Sequence, residues 1–219
     1  MARELEIGVI GLGKFGLNLG KSLVGLGHSV LGLDSDPDNI RRAQTILTKV
    51  YQLDARDKRA LEQVNIHSMN HVAVSVGHSM DASILISLYL KEMGVQKVWV
   101  KAISEDHEKI LRHIGVDEVI FPEKYAAIQM AHRLARPGLI EHLPFERDVA
   151  IWELTVQRWA GLSLRELELP ARHGAQVIAV RHPGAGESYD FVPKAGLVLR
   201  EGDRLVVLGR EEVLTGLKP

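Results

Sequence analysis

The first 125 residues alternate short apolar runs with longer segments of helical periodicity. The runs that predict strands are 7–10, 30–33, 49–52, 72–76, 98–100 and 119–121. The segments that predict helices are 15–25, 37–47, 57–64, 81–93, 106–114 and 125–135. Continuous apolar strands that alternate with helices are typical of a parallel sheet covered by helices on both faces. The sequence therefore predicts a doubly wound α/β domain over residues 1–135.

The pattern changes after residue 135. The segments Arg136-Pro137-Gly138 and Leu143-Pro144 are stop signals, and helical periodicity is scarce beyond them. Strands are predicted at 149–156, 176–180 and 204–208, with a short helix around 164–167. We therefore expect a linker over 136–147 and a second, smaller α+β domain over 148–219.

A glycine-rich loop lies between the first predicted strand and the first predicted helix. Gly11-Leu12-Gly13-Lys14-Phe15-Gly16 matches G-x-G-x-x-G in the context that nucleotide binding requires. Gly11 permits a tight turn, Gly13 allows phosphates to approach the backbone, and Gly16 allows close helix packing. The helix N-terminus offers free N–H groups to the phosphates, and Lys14 adds a positive charge. The loop predicts a Rossmann-like nucleotide site rather than a purely structural turn.

Residues that follow the next strands extend this predicted site. Asp34 ends the second strand, where a carboxylate accepts hydrogen bonds from ribose hydroxyls and disfavours the 2′-phosphate of NADP. Asp36 either assists it or caps the following helix, and we favour the cap. Asp54 and Ala55 follow the third strand, where an adenine ring usually lies, although Asp54 equally suits a turn. Gly77 follows the fourth strand, where the strand order should reverse and backbone can line the ligand.

The composition excludes several classes of function. The formal net charge is −1, and Lys and Arg do not cluster, so we expect no nucleic-acid partner. The absence of cysteine excludes disulfides, thiolate metal sites and cysteine nucleophiles, and agrees with a cytosolic location. The sequence has neither a signal-peptide h-region nor an apolar run of membrane-spanning length. We therefore expect the chain to reach a membrane only through a partner.

Catalytic signatures are also missing. The sequence contains no Tyr-x-x-x-Lys pair and no G-x-S-x-G elbow. His71, His78, His107 and His113 lack metal-ligand spacing and are expected at the surface or in the crevice. We therefore predict a binding protein and not an enzyme. The alternatives are an NAD-dependent oxidoreductase with an unrecognised substrate site and a dimerisation module with a vestigial nucleotide fold.

An ordered set of motifs carries a family resemblance. The glycine loop is followed by GHSVLGLD at 27–34, DASIL at 81–85, KEMGV at 91–95, WVKA at 99–102 and HIGVDEVIFPE at 113–123. In these motifs the chain resembles the RCK (regulator of K+ conductance) proteins of the Ktr and Trk potassium-uptake systems. It is most similar to the single-unit Ktr regulatory subunits, because it holds one N-lobe and one C-lobe.

The resemblance implies a cytoplasmic regulatory subunit that docks on a membrane K+ channel or transporter. Such subunits assemble through dimers into octameric rings and bind ATP, ADP or NAD(H) in the N-lobe. We expect the helix 125–135 to bury Ile128 and Leu134 against another subunit. The family loop usually reads Gly-x-Gly-Arg-Phe-Gly, so Phe15 matches and Lys14 replaces an arginine. Lysine keeps the charge but loses the planar fork that discriminates a terminal phosphate.

The resemblance also suggests further ligand positions. Glu123 matches a position near the phosphates where a divalent cation, Mg²⁺ or Ca²⁺, can bind; alternatively it is a helix N-terminal acid favoured by the dipole. Lys101 matches a position beside the site, although a solvated lysine at a strand end is equally plausible. Some relatives bind cyclic di-AMP between C-lobes, at the stretch that holds Arg172, Ile178 and Arg181 here. An ordinary charged edge strand is the favoured interpretation of that stretch.

Overall fold

The computed structural model describes residues 4–77, 79–136, 138–142, 148–184, 186 and 188–219. The chain forms two compact units, Met1–Glu123 and Lys124–Pro219. The division falls within a helix, α6 (Pro122–Ala135), which begins at the end of the first unit. The predicted domain limits at residues 135 and 148 lie further along the chain and stay predictions.

The first unit is built on a parallel sheet, as the alternating pattern predicts. Its strands are β1 (Glu6–Ile10), β2 (Ser29–Asp34), β3 (Lys49–Gln52), β4 (His71–Val74), β5 (Val98–Lys101) and β6 (Glu118–Ile120). Among the described residues they pair in the order β3-β2-β1-β4-β5-β6, and every pairing is parallel. The strand order therefore reverses between β1 and β4.

Helices connect these strands. They are α1 (Lys14–Gly25), α2 (Pro37–Ala43), α3 (Lys58–Gln63), α4 (Met80–Glu92) and α5 (Glu105–Ile114), with a 3₁₀ turn at Ile66–Ser68. Side chains at the N-caps accept backbone N–H groups at α2, α3, α4 and α5. Asp36 is the cap of α2, with Pro37 in the first turn, as the sequence indicates.

The core of the first unit lies on both faces of the sheet. The last four residues of β1 are all buried, and so are the four central residues of β2. Val72, Val98 and Leu111 are fully buried in one cluster, and Val9, Leu12 and Val30 pack in another. Burial on both faces explains why these strands have continuous apolar sequences instead of an alternating pattern.

The second unit contains an antiparallel sheet. Its strands are β7 (Leu139–His142), β8 (Val149–Thr155), β9 (Gln176–Arg181), β10 (Asp190–Phe191) and β11 (Arg204–Arg210), paired in the order β10-β9-β11-β8-β7. The helices are α7 (Leu164–Leu167), which was expected, and α8 (Leu169–His173) and α9 (Glu211–Gly216), which were not. Strands β7 and β10 were also not predicted, and β7 lies inside the segment expected to be a linker.

Helix α6 buries none of its residues within this chain. Tyr125, Ile128, Met130 and Leu134 are all exposed large apolar or aromatic side chains, and Leu134 is 79% exposed. Across the described part of the chain, no helix is both long and apolar enough to cross a membrane.

Candidate functional site

A crevice of ≈ 900 Å³ opens in the first unit beyond the carboxyl ends of the parallel strands. In open α/β sheets this is where ligands bind, at the point where the strand order reverses. The crevice is lined by Ile10, Gly13, Lys14, Phe15, Asp34, Ser35, Asp36, Asn39, Arg42, Leu53, Asp54, Ala55, Arg56, Ser75, Val76, Gly77, Ser79, Ala82, Ile86, Lys101 and Glu123.

The glycine loop requires glycine at its first and last positions. Gly11 has a φ of +89°, and a Cβ there would lie 2.7 Å from the Ser75 carbonyl oxygen. At Gly16 a Cβ would overlap the Gly11 carbonyl oxygen. Neither residue lines the crevice, so the two glycines shape the loop without contributing to the wall.

The middle of the loop forms part of the wall instead. A Cβ at Gly13 would meet no heavy atom within 4 Å, so the backbone there adjoins open space. Gly13, Lys14 and Phe15 all line the crevice. Gly13 is also the N-cap of α1, and no side chain caps this helix. The first-turn N–H groups of α1 therefore remain available to an anion, as they do at phosphate-binding helix termini.

Asp34 connects the end of β2 to the glycine loop. Its Oδ2 accepts the Leu12 N–H at 2.6 Å and the Asn39 side-chain amide at 3.0 Å, while Oδ1 accepts the Asp36 N–H at 2.8 Å. These bonds fix the carboxylate at the crevice wall. Each carboxylate oxygen has two lone pairs, so Asp34 retains acceptor capacity for a ribose hydroxyl.

A second carboxylate at the end of β3 is engaged by an arginine. Asp54 Oδ1 accepts the Arg56 backbone N–H at 2.9 Å and Nε at 3.0 Å, and Oδ2 accepts Nη2 at 2.7 Å. The hydrogen bonds from Arg56 lower the pKa of Asp54, and the same pairing raises the pKa of Arg56. Both side chains line the crevice beside Ala55, which is buried.

The opposite side of the crevice carries an ion pair. Lys101, the last residue of β5, donates from Nζ to Glu123 Oε1 at 2.6 Å, and Nζ lies 5.7 Å from the centre of the Phe15 ring. The Lys101 side chain is 14% exposed, whereas that of Glu123 is 62% exposed. The hydrogen bond from Lys101 holds the pKa of Glu123 below its usual value.

The crevice brings together ten of the twelve site residues that the sequence suggested, all except Gly11 and Gly16. Their roles toward a ligand stay predictions. Sequence reasoning missed other polar residues of the wall, namely Ser35, Asn39, Arg42, Arg56, Ser75 and Ser79. Each follows a strand end closely or lies in α2, so a search of the residues after every parallel strand would have found most of them.

Metal ligands are sparse in this chain taken alone. Among the described residues, no group of three His, Asp or Glu side chains is placed to hold a metal ion. Glu123 is one carboxylate at the crevice wall. One carboxylate with ligand phosphates and water is a donor set that suits Mg²⁺, which seldom uses an all-protein cage.

One of the histidine predictions is wrong. His107 is fully buried, in the first turn of α5, instead of at the surface or in the crevice. Its Nδ1 accepts the Ile103 N–H at 3.3 Å, and burial lowers its pKa. Hydrophobic periodicity identifies apolar residues on the buried face of a helix. It does not identify a histidine whose ring is buried there. His71 is half-buried, His113 is exposed, and His78 lies outside the described residues.

The residues suggested for cyclic di-AMP lie in the second unit. Arg172, in α8, pairs with Glu168 at 2.8 Å. Ile178 and Arg181 belong to β9, and the Arg181 guanidinium lies 5.0 Å from the centre of the Tyr189 ring. Their role toward that ligand stays a prediction.

Two family models match the chain. The TrkA-N domain matches residues 7–122, and the TrkA-C domain matches residues 153–217. The first match covers the unit with the crevice, and the second covers most of the antiparallel unit.

Two similar proteins match over nearly their whole length. The Ktr system potassium uptake protein C of Bacillus subtilis (strain 168) is 32% identical over 205 residues, which cover 93% of this chain and 91% of that protein. The Ktr system potassium uptake protein A of Vibrio alginolyticus is 30% identical over 212 residues, covering 96% of this chain and 95% of that protein.

Solved structures share the fold at lower identity. The GsuK RCK domain has a TM-score of 0.57 and 19% identity, and covers 98% of this chain but only 46% of the longer GsuK chain. A GsuK channel bound to NAD has a TM-score of 0.56 with 38% of its chain covered. The Kef CTD of Shewanella denitrificans in an AMP-bound form has a TM-score of 0.52 and 21% identity, covering 59% of this chain and 78% of that one.

Proposed function

Because the chain belongs to the TrkA-N/TrkA-C (RCK) family, we propose that it is a nucleotide-sensing regulatory subunit of a Ktr-type potassium uptake system. The observation that carries the proposal is the crevice of the first unit, which gathers the glycine loop, Asp34 and two lysines at one sheet edge. The full-length similarity to Ktr system proteins supplies the physiological setting.

The proposed ligand is ATP or ADP. The α1 N-terminus and Lys14 would take the phosphates, and Asp34 would take the ribose hydroxyls. NAD(H) is the alternative ligand, and the GsuK channel bound to NAD supports keeping it. All three share an adenosine diphosphate moiety, so the same residues would serve each of them.

Sensing requires the site to distinguish ligands that differ by one phosphoryl group. A ligand shifts a conformational equilibrium only through its different affinities for the two states. In the described structure no carboxylate pairs with Lys14, whereas Lys101 is paired with Glu123. A γ-phosphate that competes for Lys101 would release Glu123. The freed carboxylate, with phosphate oxygens, would hold Mg²⁺ or Ca²⁺, which would neutralise the added charge.

The output would be a change in subunit geometry that sets the state of a membrane K+ channel or transporter. The subunit would act at the cytoplasmic face of the membrane, as dimers assembled into an octameric ring. The exposed side chains of α6, among them Ile128 and Leu134, offer an apolar surface for self-association. A coupling of about 1–3 kcal/mol per site would suffice when several sites act together.

This proposal gives the crevice residues no catalytic role. Two relatives that match over more than 90% of their length, the Ktr system proteins C and A of Bacillus subtilis, are named as potassium uptake proteins. An NAD-dependent oxidoreductase would need a substrate and a proton donor at the same site. Turnover of NADH by the purified protein would revive that alternative.

The decisive experiment compares the protein with ATP and with ADP. We expect different particle dimensions by small-angle scattering, an oligomeric mass by light scattering, and different K+ flux through a reconstituted Ktr membrane subunit. Asp34→Ala should weaken both nucleotides by about 1.5–3 kcal/mol, because charged hydrogen bonds to the ribose are lost, and should abolish the difference in flux.

Asp38→Ala is the matched control, since Asp38 is exposed, pairs with Arg41 and lies outside the crevice. It should bind nucleotide as the unaltered protein does. Equal dimensions and equal flux with ATP and ADP would refute the sensing function. Unchanged calorimetric affinity in Asp34→Ala would refute the assignment of the ribose contact.

A further inference from the structure

Among the described cations of the crevice wall, Arg56 makes the most side-chain hydrogen bonds, although its side chain is 60% exposed. Its Nε contacts both oxygens of Asp54, at 3.0 and 3.1 Å, and Nη2 contacts Oδ2 at 2.7 Å. Such fork-on-carboxylate pairing fixes the plane of a guanidinium as well as its position. An exposed arginine normally samples many rotamers, so this pairing reduces the entropy that ordering on a ligand would cost.

Apolar side chains line the same crevice as Arg56. These are Leu53 and Val76, which follow β3 and β4, and Ala82 and Ile86 of α4. The hydrogen bonds to Asp54 are the main cause of the raised pKa of Arg56, and the charge of Asp81, in the first turn of α4, adds to it. Arg56 lies in the loop that follows β3, and Ser79, the N-cap of α4, lines the same crevice.

The same bonds occupy Asp54. Its two oxygens accept four hydrogen bonds from Arg56, one from the backbone N–H, two from Nε and one from Nη2. A carboxylate has about four acceptor sites, so little capacity remains for the edge of a base. Asp54 is therefore poorly suited to read a base directly and well suited to hold the arginine.

We propose that the Arg56 guanidinium stacks on the face of the ligand's purine, with Asp54 as its positioning residue. This role rests on the proposed nucleotide function and specifies which part of the ligand Arg56 recognises. A planar, weakly hydrated guanidinium stacks on aromatic faces, which an ammonium group cannot do. Stacking depends on ring area, so the site would prefer purine to pyrimidine nucleotides without reading a hydrogen-bonding edge.

The test measures the affinities of ADP and UDP by calorimetry for the unaltered protein and four variants. Arg56→Ala should weaken ADP by about 5–30-fold and UDP by less than about 3-fold, because a base–side-chain stack is lost. Arg56→Lys should fail to restore ADP affinity, since it returns the charge but not the plane. Asp54→Asn should give an intermediate loss for ADP, because it loosens the guanidinium without removing it.

Arg59→Ala is the control, because Arg59 is an exposed arginine of α3 outside the crevice wall. It should leave both affinities unchanged, and thermal unfolding should show that all variants are folded. If Arg56→Lys binds ADP as the unaltered protein does, Arg56 acts through its charge and the stacking role is overturned. Equal loss of ADP and UDP in Arg56→Ala also overturns it. If the unaltered protein binds neither nucleotide, the proposed function itself fails.

Discussion

The two sheets of this molecule carry their charged residues in different places. In the parallel sheet, Asp34 and Lys101 are the last residues of β2 and β5, and both line the crevice. In the antiparallel sheet, Glu153 and Arg204 lie on adjacent strands, β8 and β11, and form an ion pair across the sheet at 3.0 Å.

The difference follows from strand direction. Parallel strands all end at the same edge, so polar residues at their ends gather at one site beside helix N-termini. Antiparallel strands end at alternate edges, and their polar residues meet mainly as cross-strand pairs that neutralise one another. We infer that charge at the parallel edge serves a ligand, whereas charge across the antiparallel sheet serves stability. Substitutions in three places, the glycine loop, Asp117 and Tyr189, test this division.

The largest loss of stability is expected from a substitution in the glycine loop. Gly16→Ala should lower the free energy of unfolding of the first unit by about 2–4 kcal/mol, because its Cβ overlaps backbone that cannot easily move. Gly13→Ala should change stability by less than about 0.5 kcal/mol, since its Cβ meets open space. It should nevertheless weaken nucleotide binding by about tenfold, as overpacking against a ligand phosphate costs ~1–3 kcal/mol.

Urea unfolding and calorimetry on both variants make this measurement. A stability loss in Gly13→Ala equal to that in Gly16→Ala would mean that the middle of the loop is structural. The separation between the residues that shape the loop and the residues that meet the ligand would then be wrong.

The parallel unit could be predicted from sequence because each signal there is local. Buried strands such as β1 are unbroken apolar runs, and capping residues such as Asp36 precede the helices. In the second unit, β10 is only two residues long and exists through its pairing with β9. Such a strand depends on tertiary contacts that no local pattern records.

In the candidate site, too, some residues could be predicted from local sequence signals and others could not. The glycine loop and Asp34 could be predicted because the glycine spacing and the positions of the neighbouring strands and helix mark this turn of the backbone. Arg56 lines the crevice with its side chain hydrogen-bonded to Asp54, two residues earlier. The choice of rotamer that makes such a contact is not encoded in periodicity. The burial of His107 escaped prediction for the same reason.

The next largest loss of stability is expected from a substitution of Asp117. This residue directly precedes β6, at the edge of the parallel sheet where the strands begin. Burial alone would raise the pKa of Asp117, but the Val98 N–H and the Lys91 and Lys97 ammonium groups lower it to about 2. A folded-state pKa below the ordinary value of 3.8 means that the ionised carboxylate stabilises the fold above about pH 4. This contribution is lost as the pH falls through about 2.

Asp117→Asn should therefore destabilise the protein by about 1–2 kcal/mol at pH 7. The destabilisation should become smaller as the pH falls from 4 to 3. Nucleotide affinity should be unchanged. Denaturant unfolding of both proteins across this range makes the comparison. Asp106→Asn is the control, because Asp106 pairs with Lys109 on an exposed helix face. If the difference in unfolding free energy between the two proteins stayed constant down to pH 3, the charge of Asp117 would not be the cause of the destabilisation.

The smallest effect is expected in the antiparallel sheet. The Tyr189 hydroxyl donates to Glu153 Oε2 at 2.5 Å, and this hydrogen bond raises the pKa of Tyr189. Tyr189→Phe removes the donor but keeps the ring beside Arg181, and Glu153 retains its pairing with Arg204.

We expect Tyr189→Phe to lower the unfolding free energy by about 0.5–1.5 kcal/mol. Because the folded-state pKa is raised, this loss should be present at neutral pH and diminish as tyrosine ionises above about pH 10. ADP affinity should stay within about twofold of the unaltered protein, because Tyr189 belongs to the other unit and its partner Glu153 does not line the crevice. A loss of ADP affinity together with stability would mean that cross-strand charge in the second unit is coupled to the ligand site, and the division between the two sheets would fail.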